Sequence, residues 1–327
     1  MKKTLVNIGF VLLTICLIVL GVIKLNYILR PTDTDSSYRK IQSFYEMPDD
    51  SFEVMIFGSS HAFTSINPME LYNQYGIGAY NCGTNWEKIN TTKLFLNDSL
   101  QSQTPKLVLI ETFYADSVLK DQNMNGEIFY TRFLRNSEAK RSFLKQCFEN
   151  DIERWVSYYI PIYAFHDNWI SITQTSFTSM YTSTDRSIEN YKQNMGFSPS
   201  NRVTEIKTPN TSPKQKKFTQ DAVSELDEII EMCREKNIDI LFFTAPYERG
   251  YSYSDAMIEY AKKNGYPYIN LFDHMDEIGI DPKTDFKDTG HLNTNGAAKV
   301  TSFIGDYIDQ NYDLTDMRLI EGNIWQR

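Results

Sequence analysis

The chain has 327 residues, 41% hydrophobic and 23% charged, which suits one sizeable core carrying an insertion and excludes general disorder. Four of its 33 basic residues and none of its 42 acidic ones lie in positions 1–30, so the remainder carries a formal charge of −13. A field of that sign disfavours nucleic acid, or any other polyanion, as a long-range partner.

Leu5 to Leu25 is almost wholly apolar, about the ~20 residues that cross ~30 Å of hydrocarbon as a helix. Lys2 and Lys3 precede it, and a short basic start stays on the cytoplasmic side. We expect a single anchor with the rest of the chain extracytoplasmic. A cleaved signal peptide is the alternative. Against cleavage, Lys24-Leu25-Asn26-Tyr27 follows the run instead of a small-x-small site, and Ile15 before Cys16 does not suit a lipoprotein. Pro31 to Ser51 is polar and reads as a stalk.

Phe52 to Phe57, ending at Gly58, reads as a buried strand. Gly78 to Asn81 is a second, shorter one before Gly83; Trp86 to Leu100 has helical spacing, and Lys106 to Ile110 is a third strand. From about 115 to 217 the rhythm breaks into a stretch rich in aromatic and hydroxyl residues. It resumes with an amphipathic helix over Phe218–Lys236, a strand over Ile238–Thr244 and a helix over Tyr253–Lys263 closed by Asn264-Gly265. A fifth strand over Pro267–Leu271 and a helix over Asn295–Asn311 complete the pattern. Strands alternating with helices predict a three-layer α/β/α sandwich on a five-stranded parallel sheet, with a long insertion after the third strand. Cys82, Cys147 and Cys233 give neither a disulfide framework nor a metal spacing, and His61, His166, His274 and His291 no zinc-like pattern. No cofactor is expected.

Ligands of an open parallel sheet sit outside the C-terminal strand ends. Gly58-Ser59-Ser60-His61 lies at one such end. Its serines read either as capping residues or, for Ser60, as a nucleophile at the start of a helix. Between the fifth strand and the last helix, Asp285-Phe286-Lys287-Asp288-Thr289-Gly290-His291-Leu292-Asn293 puts an acid and a histidine three residues apart. One short loop can thus present a general base and the partner that fixes its tautomer. Gly58-x-Ser60-x-Ala62 also falls near the nucleophile motif of α/β-hydrolases, but that fold carries its acid and histidine on separate loops.

Together these segments resemble the SGNH (GDSL-like) hydrolases over roughly 51–115 and 217–312. Phe57-Gly58-Ser59-Ser60-His61 matches the first block, with Ser59 where many members carry aspartate. Asn81-Cys82-Gly83 resembles the second, and Asp288-Thr289-Gly290-His291-Leu292-Asn293-x-x-Gly296 the last. The resemblance implies a flavodoxin-like fold, a Ser60–His291–Asp288 triad, and an oxyanion hole from the Ser60 and Gly83 amides. With the anchor and stalk read above, the expected domain order is start and anchor 1–30, stalk 31–51, SGNH-like domain 52–312 with its insertion at about 115–217, and tail 313–327. One departure stands out: the third block, Ile110-Glu111-Thr112-Phe113-Tyr114, lacks the family's asparagine.

That departure, the anchor and the Ser-Ser block are similar to the membrane-anchored accessory proteins of membrane-bound O-acyltransferases. Those proteins assist D-alanylation of teichoic acids and acetylation of exported polysaccharides. An esterase or O-acyltransferase acting on an acylated cell-envelope polymer or a committed acyl donor is therefore expected. A non-catalytic scaffold or polymer-binding subunit is the alternative, with a membrane-bound O-acyltransferase as the candidate partner in either case. Tyr158 to His166 and Trp169 suit sugar stacking or ordinary packing, with packing favoured and His166 read as structural.

Overall fold

A computed structural model of the chain describes residues 2–29, 36–119, 128–148, 151–172, 174–178 and 186–325. The two ends of the expected anchor (1 and 30) and parts of the expected stalk (31–35), insertion (120–127, 149–150, 173, 179–185) and tail (326–327) lie outside the described residues. The chain opens with α1 (Lys2–Leu29) and α2 (Ser36–Tyr45). Strands β1 (Val54–Phe57), β2 (Ala79–Asn81), β3 (Leu107–Glu111), β4 (Asp239–Thr244) and β5 (Tyr268–Asn270) then form one parallel sheet of order β2-β1-β3-β4-β5. Its register pairs Val54 with both Ala79 and Leu107, Leu107 with Asp239, and Phe242 with Tyr268. The central strands are short apolar runs buried on both faces, as a sheet covered by crossover helices requires.

Between β1 and β2 run α3 (Ser60–Ser65) and α4 (Pro68–Tyr75), and between β2 and β3 runs α5 (Ile89–Ser99). The insertion folds as α6 (Ile128–Arg132), α7 (Glu138–Phe148), α8 (Ile152–Tyr159), α9 (Pro161–Phe165), a 3-10 turn (His166–Ser171), α10 (Gln174–Thr178) and α11 (Arg186–Gln193). After it come α12 (Gln220–Glu235), α13 (Ser254–Asn264), α14 (Met275–Ile278) and α15 (Thr294–Asn311). Right-handed crossovers put α5, α12 and α13 on one face of the sheet and α3, α4 and α15 on the other. Accordingly α5 packs on α12, Tyr260 of α13 bonds Asp227 of α12 at 2.7 Å, and α15 packs on α3 and α4. The strand order reverses at β1, so the crevice for a ligand opens between the ends of β1 and β3.

Two terminal segments differ from the sequence expectation. The expected stalk contains α2, whose Ile41 and Phe44 are buried and whose Ser43 bonds the Tyr80 hydroxyl at 2.9 Å. Its apolar residues recur three apart, a stripe hidden by the polar residues around it. The expected tail is also fixed: Trp325 is buried, stacking on Tyr72 at 5.5 Å with its ring edge-on to Phe52. The insertion returns across the C-terminal edge of the sheet. There the Met195 carbonyl accepts from the Asn81 amide (2.9 Å), Ser198 donates to Phe63 (3.0 Å) and Thr204 donates to Phe286 (2.8 Å).

Candidate active site

The turn after β1 is built around Gly58, whose φ of +130° only glycine adopts easily. A Cβ there would stand 2.7 Å from Glu111 Cβ. Ser59 caps α3, accepting from the His61 amide at 3.2 Å, and donates its hydroxyl to Glu111 Oε2 at 2.8 Å. Glu111, at the end of β3, also accepts from the Phe113 amide at 2.8 Å. A carboxylate from the neighbouring strand thus reaches the turn that carries Ser59.

A second carboxylate holds the turn from the other side. Glu87 Oε1 accepts from the Gly58 amide (3.0 Å) and Thr92 hydroxyl (2.9 Å); its Oε2 accepts from the Thr84 amide and hydroxyl, both at 2.9 Å. Both glutamates are buried. Burial, opposed by these hydrogen bonds, pushes Glu87 up to about 8 and Glu111 up to about 7.

Ser60 opens α3 with its Oγ 2.7 Å from His291 Nε2. On the far side of the ring, His291 Nδ1 lies 2.8 Å from Asp288 Oδ1 and 3.1 Å from Oδ2. Asp288 Oδ1 in turn accepts the Gly290 and His291 amides at 2.8 and 3.0 Å. The loop is closed by an antiparallel bridge between Phe286 and Leu292. Asn293 then caps α15 through the Asn295 and Gly296 amides. Gly296 is needed for close approach, because a Cβ there would stand 2.4 Å from the Asp285 carbonyl. The structure thus brings Ser60, Asp288 and His291 together.

Burial lowers the His291 imidazole, outweighing the charge and hydrogen bond of Asp288 that raise it. Asp288 is raised by burial but ends below its ordinary value, held there by the Gly290 amide, His291 and Lys287. The neutral imidazole is therefore the prevailing form at neutral pH and can accept a hydroxyl proton. If Ser60 and His291 act on an ester, activity falls as His291 is protonated. The acid limb of kcat/KM for 4-nitrophenyl acetate is expected below the ordinary histidine value of 6.5; a limb above 6.5 would contradict this.

Sequence reasoning did not find the wall behind His291. His61 is buried with its ring stacked on Phe113 at 4.0 Å and on His291 at 4.9 Å. Burial, then the charge of His291, lowers it well below the ordinary value, so it presents a neutral face to the imidazole. An aromatic flanked by other rings leaves no one-dimensional signal.

Ser60, Asp288 and His291 line a cavity of about 280 Å³ with Lys40, Phe63, Asn85, Tyr130, Tyr191, Ser198 and Lys287. Its far wall comes from α2, α6 and α11. Lys40 is buried, donating to the Gly196 carbonyl at 3.0 Å and lying 4.3 Å from the Phe63 ring centre. Burial lowers it to about 7, opposed by Cys82 and Glu87. The cavity thus holds two lysines, Lys40 and Lys287, beside the carboxylate of Asp288. A further cavity of about 220 Å³ lies between α5, α7 and α12 and includes none of Ser60, Asp288 and His291.

The expected oxyanion pair is not assembled. The Gly83 amide donates to Asn81 Oδ1 at 3.1 Å, and Asn81 is itself fixed by Nδ2 bonds to the Ala62 and Ile66 carbonyls, both at 3.0 Å. Asn85 occupies the cavity instead, donating to the Tyr130 hydroxyl at 3.0 Å. The asparagine sought after the third strand is absent there, but one follows the second.

No protein-family model matches the chain, and no curated protein matches it. Among solved structures the chain is similar to a Bacteroides fragilis protein described as a "putative acylhydrolase", at 10% identity and a TM-score of 0.39, over 86% of this chain and 99% of the other.

Proposed function

We propose that the protein is an SGNH-type serine esterase or O-acyltransferase, held to the membrane by α1 with its sheet domain outside the cytoplasm. Its substrate would be the acyl group of a cell-envelope glycan or polyol polymer. The observation that carries this reading is the unbroken hydrogen-bonded chain from Ser60 Oγ through His291 to Asp288. Ser60 Oγ attacks the acyl carbon as its proton passes to His291 Nε2. Asp288 holds the ring and stabilises the imidazolium. Collapse of the tetrahedral intermediate sends that proton to the departing alcohol, leaving an acyl-Ser60 ester. Water, or the hydroxyl of an acceptor, then gives its proton to His291 and takes the acyl group. The charge on the intermediate falls to the Ser60 amide and, with Gly83 engaged elsewhere, to the second N–H of the Asn85 carboxamide. Lys40 and Lys287 in the wall suit an acyl ester carried next to an anionic group.

The anchor rests on the helix over Val6–Asn26, long and apolar enough to cross a bilayer and 0% buried within the fold. Lys2 and Lys3 before it favour a cytoplasmic start.

A second reading, a non-catalytic subunit that presents polymer to a membrane-bound O-acyltransferase, draws on the engaged Gly83 amide and the missing third-block asparagine. Fluorophosphonate labelling of the full chain in detergent separates the two. Modification of Ser60, identified by peptide mass, is expected. An unmodified Ser60, beside a serine hydrolase labelled in the same tube, would leave only the binding role.

A further inference from the structure

The exposed side of the insertion carries apolar surface that the catalytic reading does not use. Of the aromatic stretch singled out in the sequence, Tyr158 and Phe165 are buried in the core, but Tyr163 is 41% and Trp169 67% exposed. Ile170 (73%) and Phe177 (50%) are equally open. None of the four lines the cavity holding Ser60, so stacking on a sugar bound there does not explain them.

Their position relative to α1 does. Tyr163 lies on α9, Trp169 and Ile170 on the 3-10 turn, and Phe177 on α10, and all three elements pack against α1. Among the described side chains of α1, burial is confined to the C-terminal part, where Gly21, Asn26 and Ile28 are half-buried and Leu29 is buried, while Val6 to Leu20 is bare. The three elements therefore sit at the end of the apolar run, not along it. That level is where a spanning helix leaves the hydrocarbon, and where tryptophan and tyrosine concentrate in membrane proteins. The patch is rimmed by polar groups that belong in the headgroup layer. His166 Nε2 is 3.1 Å from Asp167 Oδ1, and the Tyr163 hydroxyl bonds Glu153.

We propose that α9, the 3-10 turn and α10 form a second membrane contact, with Tyr163, Trp169, Ile170 and Phe177 seated in the headgroup and upper acyl region of the bilayer that α1 crosses. This rests on α1 being a membrane span. The occupant is lipid rather than protein because the patch is continuous with the bare helix, whose own surroundings would be lipid. Two attachments fix the orientation of a domain that a single span would leave free to rotate and tilt.

Tryptophan fluorescence of the full chain in dioleoylphosphatidylcholine vesicles, with and without lipids brominated near the headgroup, tests this. The bromolipid-quenched component should fall by roughly half or more in Trp169→Phe, and stay unchanged in Trp86→Phe. A Leu17→Trp variant, quenched by bromines deep in the acyl chains, reports the span separately. If Leu17→Trp is not quenched, the anchor reading itself fails. If it is quenched but Trp169→Phe changes nothing, the span stands and the second contact is overturned. Soluble acrylamide distinguishes the overturning cases: access to Trp169 means open solvent, and protection from both quenchers means a protein partner or second copy.

Discussion

Ser60→Ala is expected to lower ester turnover by a factor of roughly 10⁴–10⁶ and leave the melting temperature within about 2 °C. The kinetic effect is large because the substitution deletes the attacking atom; residual turnover would come only from binding and oxyanion contacts. The thermal effect is small because Ser60 is part-buried and its hydroxyl bonds His291 within the site. Its neighbour Ser59, not Ser60, supplies the cap of α3. Members of one catalytic unit are not additive, so Ser60→Ala/His291→Ala should be scarcely worse than either single variant. Turnover of 4-nitrophenyl acetate by the detergent-solubilised chain provides the check. Undiminished activity in Ser60→Ala would remove the serine from the mechanism.

Glu87→Ala is expected to be the most destabilising single change near the site, at about 4 kcal/mol or more. Glu87 joins the β1 turn, the loop after β2 and the start of α5 through four donors. Alanine strands the Gly58 amide in a dry site and removes one of the two acceptors of the Thr84 amide, which also donates to the Gly58 carbonyl at 2.9 Å. Glu87→Gln is milder but not neutral. Each carboxylate oxygen meets one amide and one hydroxyl; whichever way the carboxamide turns, its NH₂ faces a backbone N–H that cannot reverse.

Loss of the Glu87 carboxyl also changes how stability depends on pH. Glu87 is raised to about 8 and Glu111 to about 7, burial being the largest cause in each. Above the ordinary value of 4.5 the unfolded chain has released these protons while the folded chain still holds them, so stability falls as pH rises through that window. Glu87→Gln removes one of the two titrations and should flatten the decline between about pH 5 and 8. Thermal melts across that range measure it; an unchanged slope would mean that Glu87 is ionised in the fold.

The sheet was legible because each strand is a short apolar run bounded by glycine, proline or polar residues, which local pattern captures. Ser60, Asp288 and His291 were legible as candidates because two short loops carry them at opposite ends of the domain. What escaped was set by tertiary contact. Lys40 in the cavity wall, the Phe113–His61–His291 stack and the clasp of Glu87 each join segments far apart in sequence. The Gly83 amide looked free in the sequence, because nothing there says which way the Asn81 side chain turns.

Lys40 has one more consequence. The residue that lines the cavity sits on the first helix after α1, and the chain between Leu29 and Ser36 can reach about 25 Å at most. With α1 in a bilayer, the domain is leashed within that distance, and on the proposed function its encounters with polymer are a matter of local concentration at one surface instead of diffusion through a volume. On that reading a chain released from its leash would keep Ser60, Asp288 and His291 but meet its substrate only at the bulk concentration.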